Sequence, residues 1–299
     1  MSPSQETGRR HRVGILMICS MSLLIVGLDV TAMNVALPQI GSELNASLSW
    51  LQWTVSAYTV VMASFLMFAG SMADRLGRRR VLVTGMTVFA LASGLCAMAP
   101  SVEWLVAFRI IQGIGASMLN PVAMSIITNT FTEPRERAQA IGVWGAVFGA
   151  AMALGPVVGG AFVSGVGWAW IFLMNIPLGL TVIVLILRFV PESKASSPRR
   201  FDPIGQVLVV ILLGSLTFGV IEGPDAGWTS ALILSAFALT LISMTGLLVH
   251  EPRREQPLID LRFFRSIPFS SSIVIAVAAF ASFGGFLFLN TIYLQEVRG

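Results

Sequence analysis

Eight windows nearly free of charge partition this chain of 299 residues, and each is long enough to cross a bilayer as a helix. A helical crossing takes about 20 apolar residues. Between Arg12 and Glu43 the only charged side chain is Asp29, and residues 44–73 and 81–102 carry none. From 104 to 132 the only charge is Arg109. Residues 138–187 carry none and have room for two helices, with a break near Gly165–Gly167. Windows at 203–221, 226–250 and 266–295 complete the set, which makes nine spans. The expected fold class is all-α: a polytopic membrane protein.

Composition agrees with this reading. Charged residues make up 11% of the chain, against roughly 25% in an average soluble protein. So few charges could not cover a soluble surface. The two histidines, His11 and His250, stand beside charged loops and cannot build a histidine metal site. Cys19 and Cys96 each lie alone in apolar sequence, which leaves no disulfide framework and no CxxC motif. No metal or cofactor is expected. No nucleophile–base set accompanies the intramembrane charges, so an enzyme is not expected either.

The loops alternate in charge. The N-terminal tail has Arg9, Arg10 and Arg12, and the loop after span 2 has Arg75, Arg78, Arg79 and Arg80. Arg135 and Arg137 follow span 4; Arg188, Lys194, Arg199 and Arg200 follow span 6; Arg253, Arg254, Arg262 and Arg265 follow span 8. The intervening loops carry acids: Glu43, Glu103, Glu222 and Asp225. The positive-inside rule therefore predicts a cytoplasmic N-terminus in the cell (plasma or inner) membrane. Topology explains the net charge of +4 without a nucleic-acid partner. The first apolar stretch is too long for a signal peptide and eight more spans follow it, so it reads as span 1.

Asp29 lies about 15 residues into span 1, roughly 22 Å at 1.5 Å per residue, and Arg109 about five residues into span 4. Together they would cost about 5–7 kcal/mol facing lipid. Both are expected to point into a bundle interior or a wet cavity. One reading is a static pair that ties spans 1 and 4. The other is a proton-linked site in which Asp29 titrates as solvent access changes. Gln112, three residues after Arg109, shares its helix face; it serves either inter-helix hydrogen bonding or a substrate. Gly113 and Gly115 permit close helix approach, or a substrate beside the backbone.

Span 5 contains Gly142, Gly145 and Gly149, then Gly155-Pro156 and Gly159-Gly160. The Gly145/Gly149 and Gly155/Gly159 spacings favour tight packing, and Pro156 invites a kink. The pattern suits either ordinary small-residue packing or a bending helix. The loop after span 2 sets Asp74 among Arg75, Arg78, Arg79 and Arg80, framed by Gly70 and Gly77. That predicts a short turn with defined charge pairing, able to latch an interface and cap a helix end.

These residues together resemble the major facilitator superfamily, and within it the fourteen-span drug:proton antiporter family of multidrug efflux transporters, over essentially the whole chain. Gly70 through Arg80 is similar to the superfamily's loop signature, with Met72 at its leucine position. Arg109 through Gly115 is similar to the span 4 motif linked to proton coupling. Gly149 through Gly160 is similar to the antiporter motif of span 5, and Asp29 with Asn34 through Pro38 to the span 1 signature of the branch. The resemblance implies alternating access between two six-helix halves, with export of hydrophobic or cationic drugs or antibiotics in exchange for protons. Asp29 and Arg109 would couple protons. Asn34, Tyr58, Gln112 and Gly113 would line the substrate cavity. Gly70, Asp74, Arg75, Gly77 and Arg78 would form a latch, and Gly149, Gly155, Pro156, Gly159 and Gly160 a hinge. Where the family shows Trp-Arg-Trp after span 5, this sequence has Trp168-Ala169-Trp170.

The expected layout is a six-span N-terminal bundle at 1–190, a linker with two inserted spans at 191–265, and the first span of an incomplete C-terminal bundle at 266–299. On that resemblance five spans are missing and the chain is C-terminally truncated. The expected partners are a small-molecule substrate, protons and the lipid bilayer. Self-association is a further option for a half that lacks its pseudo-symmetric partner. An exporter of another metabolite, and an inactive or scaffold-like membrane protein, stay open beside the drug antiporter.

Overall fold

The computed structural model describes residues 3–196, 201–254, 256–258 and 260–293, with the side chains of 3–7, 9, 291 and 292 left aside. The described residues are helical with short connections and contain no strand. The helices are α1 (Pro3–Glu43), α2 (Leu48–Leu76), α3 (Arg78–Ala97), α4 (Val102–Thr130) and α5 (Pro134–Gly165). They continue as α6 (Ala169–Leu173), α7 (Asn175–Phe189), α8 (Pro203–Ala226), α9 (Ala231–His250) and α10 (Ile267–Ile292). α6 and α7 make one span broken at Met174, so nine helical spans are long and apolar enough to cross a membrane among the described residues. The end of the expected ninth span, 294–299, and Arg199 and Arg200 lie outside the described residues.

Local chemistry sets the helix ends. The Ser47 hydroxyl accepts from the Trp50 N–H at the start of α2, and Ser230 does the same for Ile233 at the start of α9. Glu133 accepts from the N–H groups of Arg135 and Glu136, with Pro134 at the first turn of α5. Each cap satisfies a helix donor that has no partner within the helix. Gly77 alone separates α2 from α3, at φ +113°, a conformation that a side chain would strain. The expected break between spans 5 and 6 falls at Val166–Trp168, around Gly167 at φ +99°.

The chain divides into two compact units, Met1–Arg199 and Arg200–Gly299. In the first, α4 packs against α1, α2 and α3, α1 packs against α5, and α3 against α7. Glycines allow these approaches. A Cβ on Gly113 would lie 2.7 Å from the Tyr58 carbonyl oxygen of α2, and one on Gly115 would lie 2.6 Å from the Phe89 amide nitrogen of α3. These two glycines sit on opposite sides of α4, one for each neighbour. Along α5, Gly155 meets Thr31 and Gly159 meets the Ala32 carbonyl of α1, while Ala151 meets Gly27. Of the two glycine pairs expected to pack tightly, only Gly155/Gly159 does so. Gly142, Gly145, Gly149 and Gly160 have no atom within 4 Å of an added Cβ. α5 stays helical through Pro156.

In the second unit α8 and α9 pair through Ser215 and Thr240, whose hydroxyls are 2.8 Å apart. Their open end is closed by Asp202, buried, which caps Gly205 and meets His250 Nε2 at 3.0 Å and Arg254 Nε at 3.5 Å. Burial pushes the Asp202 carboxyl up, but the Gly205 N–H, His250 and Arg254 outweigh it and hold the group below the usual aspartate range. The side chains of α10 are mostly exposed.

The glycine contacts lead to a paired expectation. Gly115→Ala should lower the unfolding midpoint of the protein in detergent, at a cost of about 1–3 kcal/mol for overpacking. Gly142→Ala, on the same footing, should leave it unchanged or slightly raised. Equal losses in the two would contradict the packing described.

Candidate functional site

The centre of the first unit is a hydrogen-bonded cluster around Asp29 and Arg109, 0% and 1% exposed. Arg109 Nη1 donates to Asp29 Oδ2 at 2.6 Å and to Gln112 Oε1 at 2.7 Å, and its Nε donates to the Thr54 carbonyl of α2 at 3.1 Å. The other carboxylate oxygen, Asp29 Oδ1, accepts from Gln112 Nε2 at 3.0 Å and Asn175 Nδ2 at 2.8 Å. Ser93 Oγ of α3 accepts from Gln112 Nε2 at 2.8 Å and Asn175 Nδ2 at 3.3 Å, and donates to the Phe89 carbonyl. The guanidinium carbon lies 4.1 Å from the centroid of the Tyr58 ring and 5.8 Å from that of Phe172. Six helices therefore contribute to one point: α1, α2, α3, α4, α6 and α7.

The physics of the cluster follows from its burial. A charge left alone at this depth would cost several kcal/mol, so the pair is stable only when the remaining donors and acceptors are also matched. Here the carboxylate accepts three side-chain hydrogen bonds, and the guanidinium makes three bonds and stacks on an aromatic face. Sequence reasoning found Asp29, Arg109 and Gln112. It missed Asn175 and Ser93, whose only signal was a polar side chain inside an apolar run.

The residues expected at a substrate cavity are all buried within the first unit. Tyr58 is fully buried beneath the guanidinium, Gln112 is bound into the cluster, and Gly113 is pressed against the α2 backbone. Asn34 is buried and donates to the Val30 carbonyl of its own helix at 2.9 Å. In this arrangement each of the four is engaged by packing or hydrogen bonding inside the unit.

Three of the residues expected in a latch, Asp74, Gly77 and Arg78, meet at the α2–α3 turn. Asp74 accepts from Arg78 Nη2 at 3.1 Å, one helical turn apart across Gly77. Arg78 is buried, and its backbone N–H donates to the Ser193 carbonyl at 2.9 Å. The missed partner is Glu192, just past α7. Its carboxylate accepts from the N–H groups of Arg79 and Arg80 at 3.0 and 3.3 Å, and occupies the space beside Gly77 that a Cβ would fill. It caps α3 from the segment after α7 and pins the α2–α3 turn to the end of span 6. Gly70 faces open space. At the opposite end of α1, Trp168 Nε1 donates to Glu43 at 2.8 Å.

This architecture and the loop geometry agree with the sequence comparison. The profile of the Major Facilitator Superfamily matches residues 19–299. The chain belongs to that superfamily. It is 35% identical over 296 residues, 99% of its own length, to the methylenomycin A resistance protein of Bacillus subtilis (strain 168), of which it covers 63%. It is 36% identical over 290 residues, 97% of its length, to the multidrug resistance protein Stp of Mycobacterium tuberculosis, covering 54% of that protein. Over 284 residues, 95% of its length, it is 36% identical to the multidrug efflux pump LfrA of Mycolicibacterium smegmatis, covering 56%. The chain thus spans little more than half to about three-fifths of these relatives. Among solved structures, the peptide transporter POT in complex with sulfate matches the fold with a TM-score of 0.55 at 16% identity, over 78% of this chain and 49% of that one. The superfamily and the nine spans make this a multi-pass membrane protein.

A double-mutant cycle measures how far Asp29 and Arg109 depend on each other. Arg109→Met alone should cost about 3–5 kcal/mol in unfolding by denaturing detergent, because it strands a buried carboxylate. Asp29→Leu combined with Arg109→Met should cost clearly less than the sum of the single changes. Additivity within about 0.5 kcal/mol would mean that the two do not interact.

Proposed function

We propose that this chain is the proton-linked part of a membrane transporter, rather than an enzyme, that exports hydrophobic or cationic drugs or antibiotics in exchange for protons. The observation that carries the reading is the buried Asp29–Arg109 pair, a titratable group held at depth by a partner on another helix. The relatives named for antibiotic resistance and multidrug efflux support the cargo class. The span 1, loop and span 5 motifs support the fourteen-span branch.

In this reading residues 1–190 form one six-helix half, 191–265 the linker and inserted pair, and the chain from 266 onward begins the second half. The basic loops face the cytoplasm at the plasma membrane. Alternating access needs a second half opposite the first, and the relatives have the length for it beyond what this chain covers.

In this reading the pairing with Arg109 belongs to the ionised state of Asp29. A rearrangement that draws Arg109 away leaves a bare carboxylate at depth, at a cost of about 2.5–3.5 kcal/mol. Taking up a proton removes that cost, and the return of Arg109 expels the proton. The two groups thus trade one charge state for one helix arrangement. The same movement uncovers Tyr58, Gln112 and Gly113, beside Asn34, to a cationic substrate that the freed acid can attract. The joint around Gly70, Asp74, Arg75, Gly77 and Arg78 holds the cytoplasmic ends of α2 and α3 in place meanwhile. The stretch of α5 from Gly149 to Gly160 slides or bends against α1, with Gly155, Pro156 and Gly159 at the contact.

Everted membrane vesicles containing the protein provide the test. Addition of ethidium should dissipate an imposed pH gradient, and Asp29→Asn should abolish this response at unchanged membrane content. Full proton-linked exchange in Asp29→Asn would overturn the proposal and leave the pair as a structural tie.

A further inference from the structure

Two atoms of the cluster are not accounted for by its hydrogen bonds, the Tyr58 hydroxyl and one end of the Asn175 amide. Asn175 Oδ1 is buried and has no hydrogen-bond partner, although the Nδ2 of the same amide donates to both Asp29 and Ser93. An unmatched buried acceptor is uncommon and calls for an explanation. The two ends of an asparagine amide have the same shape, so a half-turn about the last side-chain torsion exchanges donor for acceptor without moving a neighbour.

We propose that Asn175 reads the protonation state of Asp29, donating from Nδ2 to the carboxylate and turning over to accept at Oδ1 from the carboxylic acid. The inference rests on the reading that Asp29 exchanges protons. In the ionised state Asp29 can only accept, and the amide must present its N–H, as it does here. In the neutral state Asp29 carries an O–H that needs an acceptor. Asn175 Oδ1 supplies it after the half-turn, in the position Nδ2 now holds. The Ser93 hydroxyl, now donating to the Phe89 carbonyl, can rotate to donate to the same oxygen.

The other amide cannot do this. Gln112 Oε1 already accepts from Arg109 Nη1, with the Cys96 thiol at 3.9 Å, so turning it would set an N–H against the guanidinium. Gln112 is locked by charge; Asn175 is free to turn. The titratable and charged groups that face Asp29 are Arg109 of α4, the Tyr58 phenol of α2 and the Cys96 thiol of α3; Arg109 can only donate, the thiol is turned to Gln112, and the Tyr58 hydroxyl makes no hydrogen bond to Asp29. Asn175 is the first residue of α7, directly after the break at Met174. A change in its hydrogen bond is therefore delivered to the joint of the sixth span, whose far end holds Glu192 and the α2–α3 turn. Asn175 is a positioning residue: it acts through Asp29.

Infrared difference spectroscopy of the protein in lipid, titrated with acid, tests this without requiring transport. The carbonyl stretch of protonated Asp29 is assigned as the band lost in Asp29→Asn. In Asn175→Ala that band should move to higher frequency, because the acid has lost its acceptor. Asn175→Leu, which fills the same volume, should give the same shift and serves if the alanine variant does not fold. An amide that never turns still donates from Nδ2 to the acid, and its loss would raise the band as well. The deciding readout is therefore the side-chain carbonyl stretch of Asn175, assigned as the band lost in Asn175→Leu. It should fall to lower frequency as Asp29 is protonated, and a frequency that holds through the titration overturns the inference. An unshifted Asp29 band in a folded variant also overturns the inference alone. The absence of any Asp29 band in the wild type at every pH overturns the proton-exchange reading, and this inference with it.

Discussion

A carboxylate and a guanidinium buried inside a membrane protein impose a condition on everything around them. Each must find the other, and each leftover hydrogen-bonding group must find a partner, or the helices separate. In this chain the condition is met by bringing Thr54, Ser93, Gln112 and Asn175 to Asp29 and Arg109, with Tyr58 under the guanidinium. The assembly of six helices around that point is the consequence. Because lipid tails are as apolar as leucine, burial of apolar surface gives little drive for helices to associate here. Polar convergence and close backbone contact must supply it.

The close contacts come from glycine. Gly113 and Gly115 let α2 and α3 reach α4 near Arg109, and Gly155 and Gly159 let α5 lie on α1 within one turn of Asp29. A larger residue at any of these would push apart the helices that carry the cluster. Packing and electrostatics are thus one device. The glycines set the distance at which the hydrogen bonds can form, and the hydrogen bonds offset the cost of bringing charge to that depth. The joint between α2 and α3 repeats the principle at smaller scale, where Gly77 clears the space that the Glu192 carboxylate needs to cap α3.

Much of this was legible in the residues. Charge-free windows gave the spans because hydrocarbon tolerates few charges, and Asp29 and Arg109 stood out for the same reason. Gln112 followed from helical spacing. Asn175 and Ser93 did not, since a neutral polar residue in an apolar run has no sign and no reach that names a partner 82 or 146 residues away. Glu192 read as linker because its partners are backbone N–H groups, which no sequence motif displays. The Asp202–His250 contact was hidden by the 48 residues between them. Gly145 and Gly149 show the opposite failure: their spacing matched a packing pattern, yet they face open space, because spacing fixes a helix face without saying what lies against it.

Under the proposed function Asp29 is both the keystone of the fold and the carrier of the transported charge, and the two roles meet when substrate arrives. If a cationic substrate and a proton compete for Asp29, then binding ethidium to the detergent-solubilised protein in weakly buffered solution should release protons to a pH-indicator dye. The release should be absent in Asp29→Asn while ethidium binding is still detectable. Equal proton release from the wild type and Asp29→Asn would place the exchange elsewhere. Ethidium binding by the wild type without any release, across the acid and neutral range, would contradict the central claim.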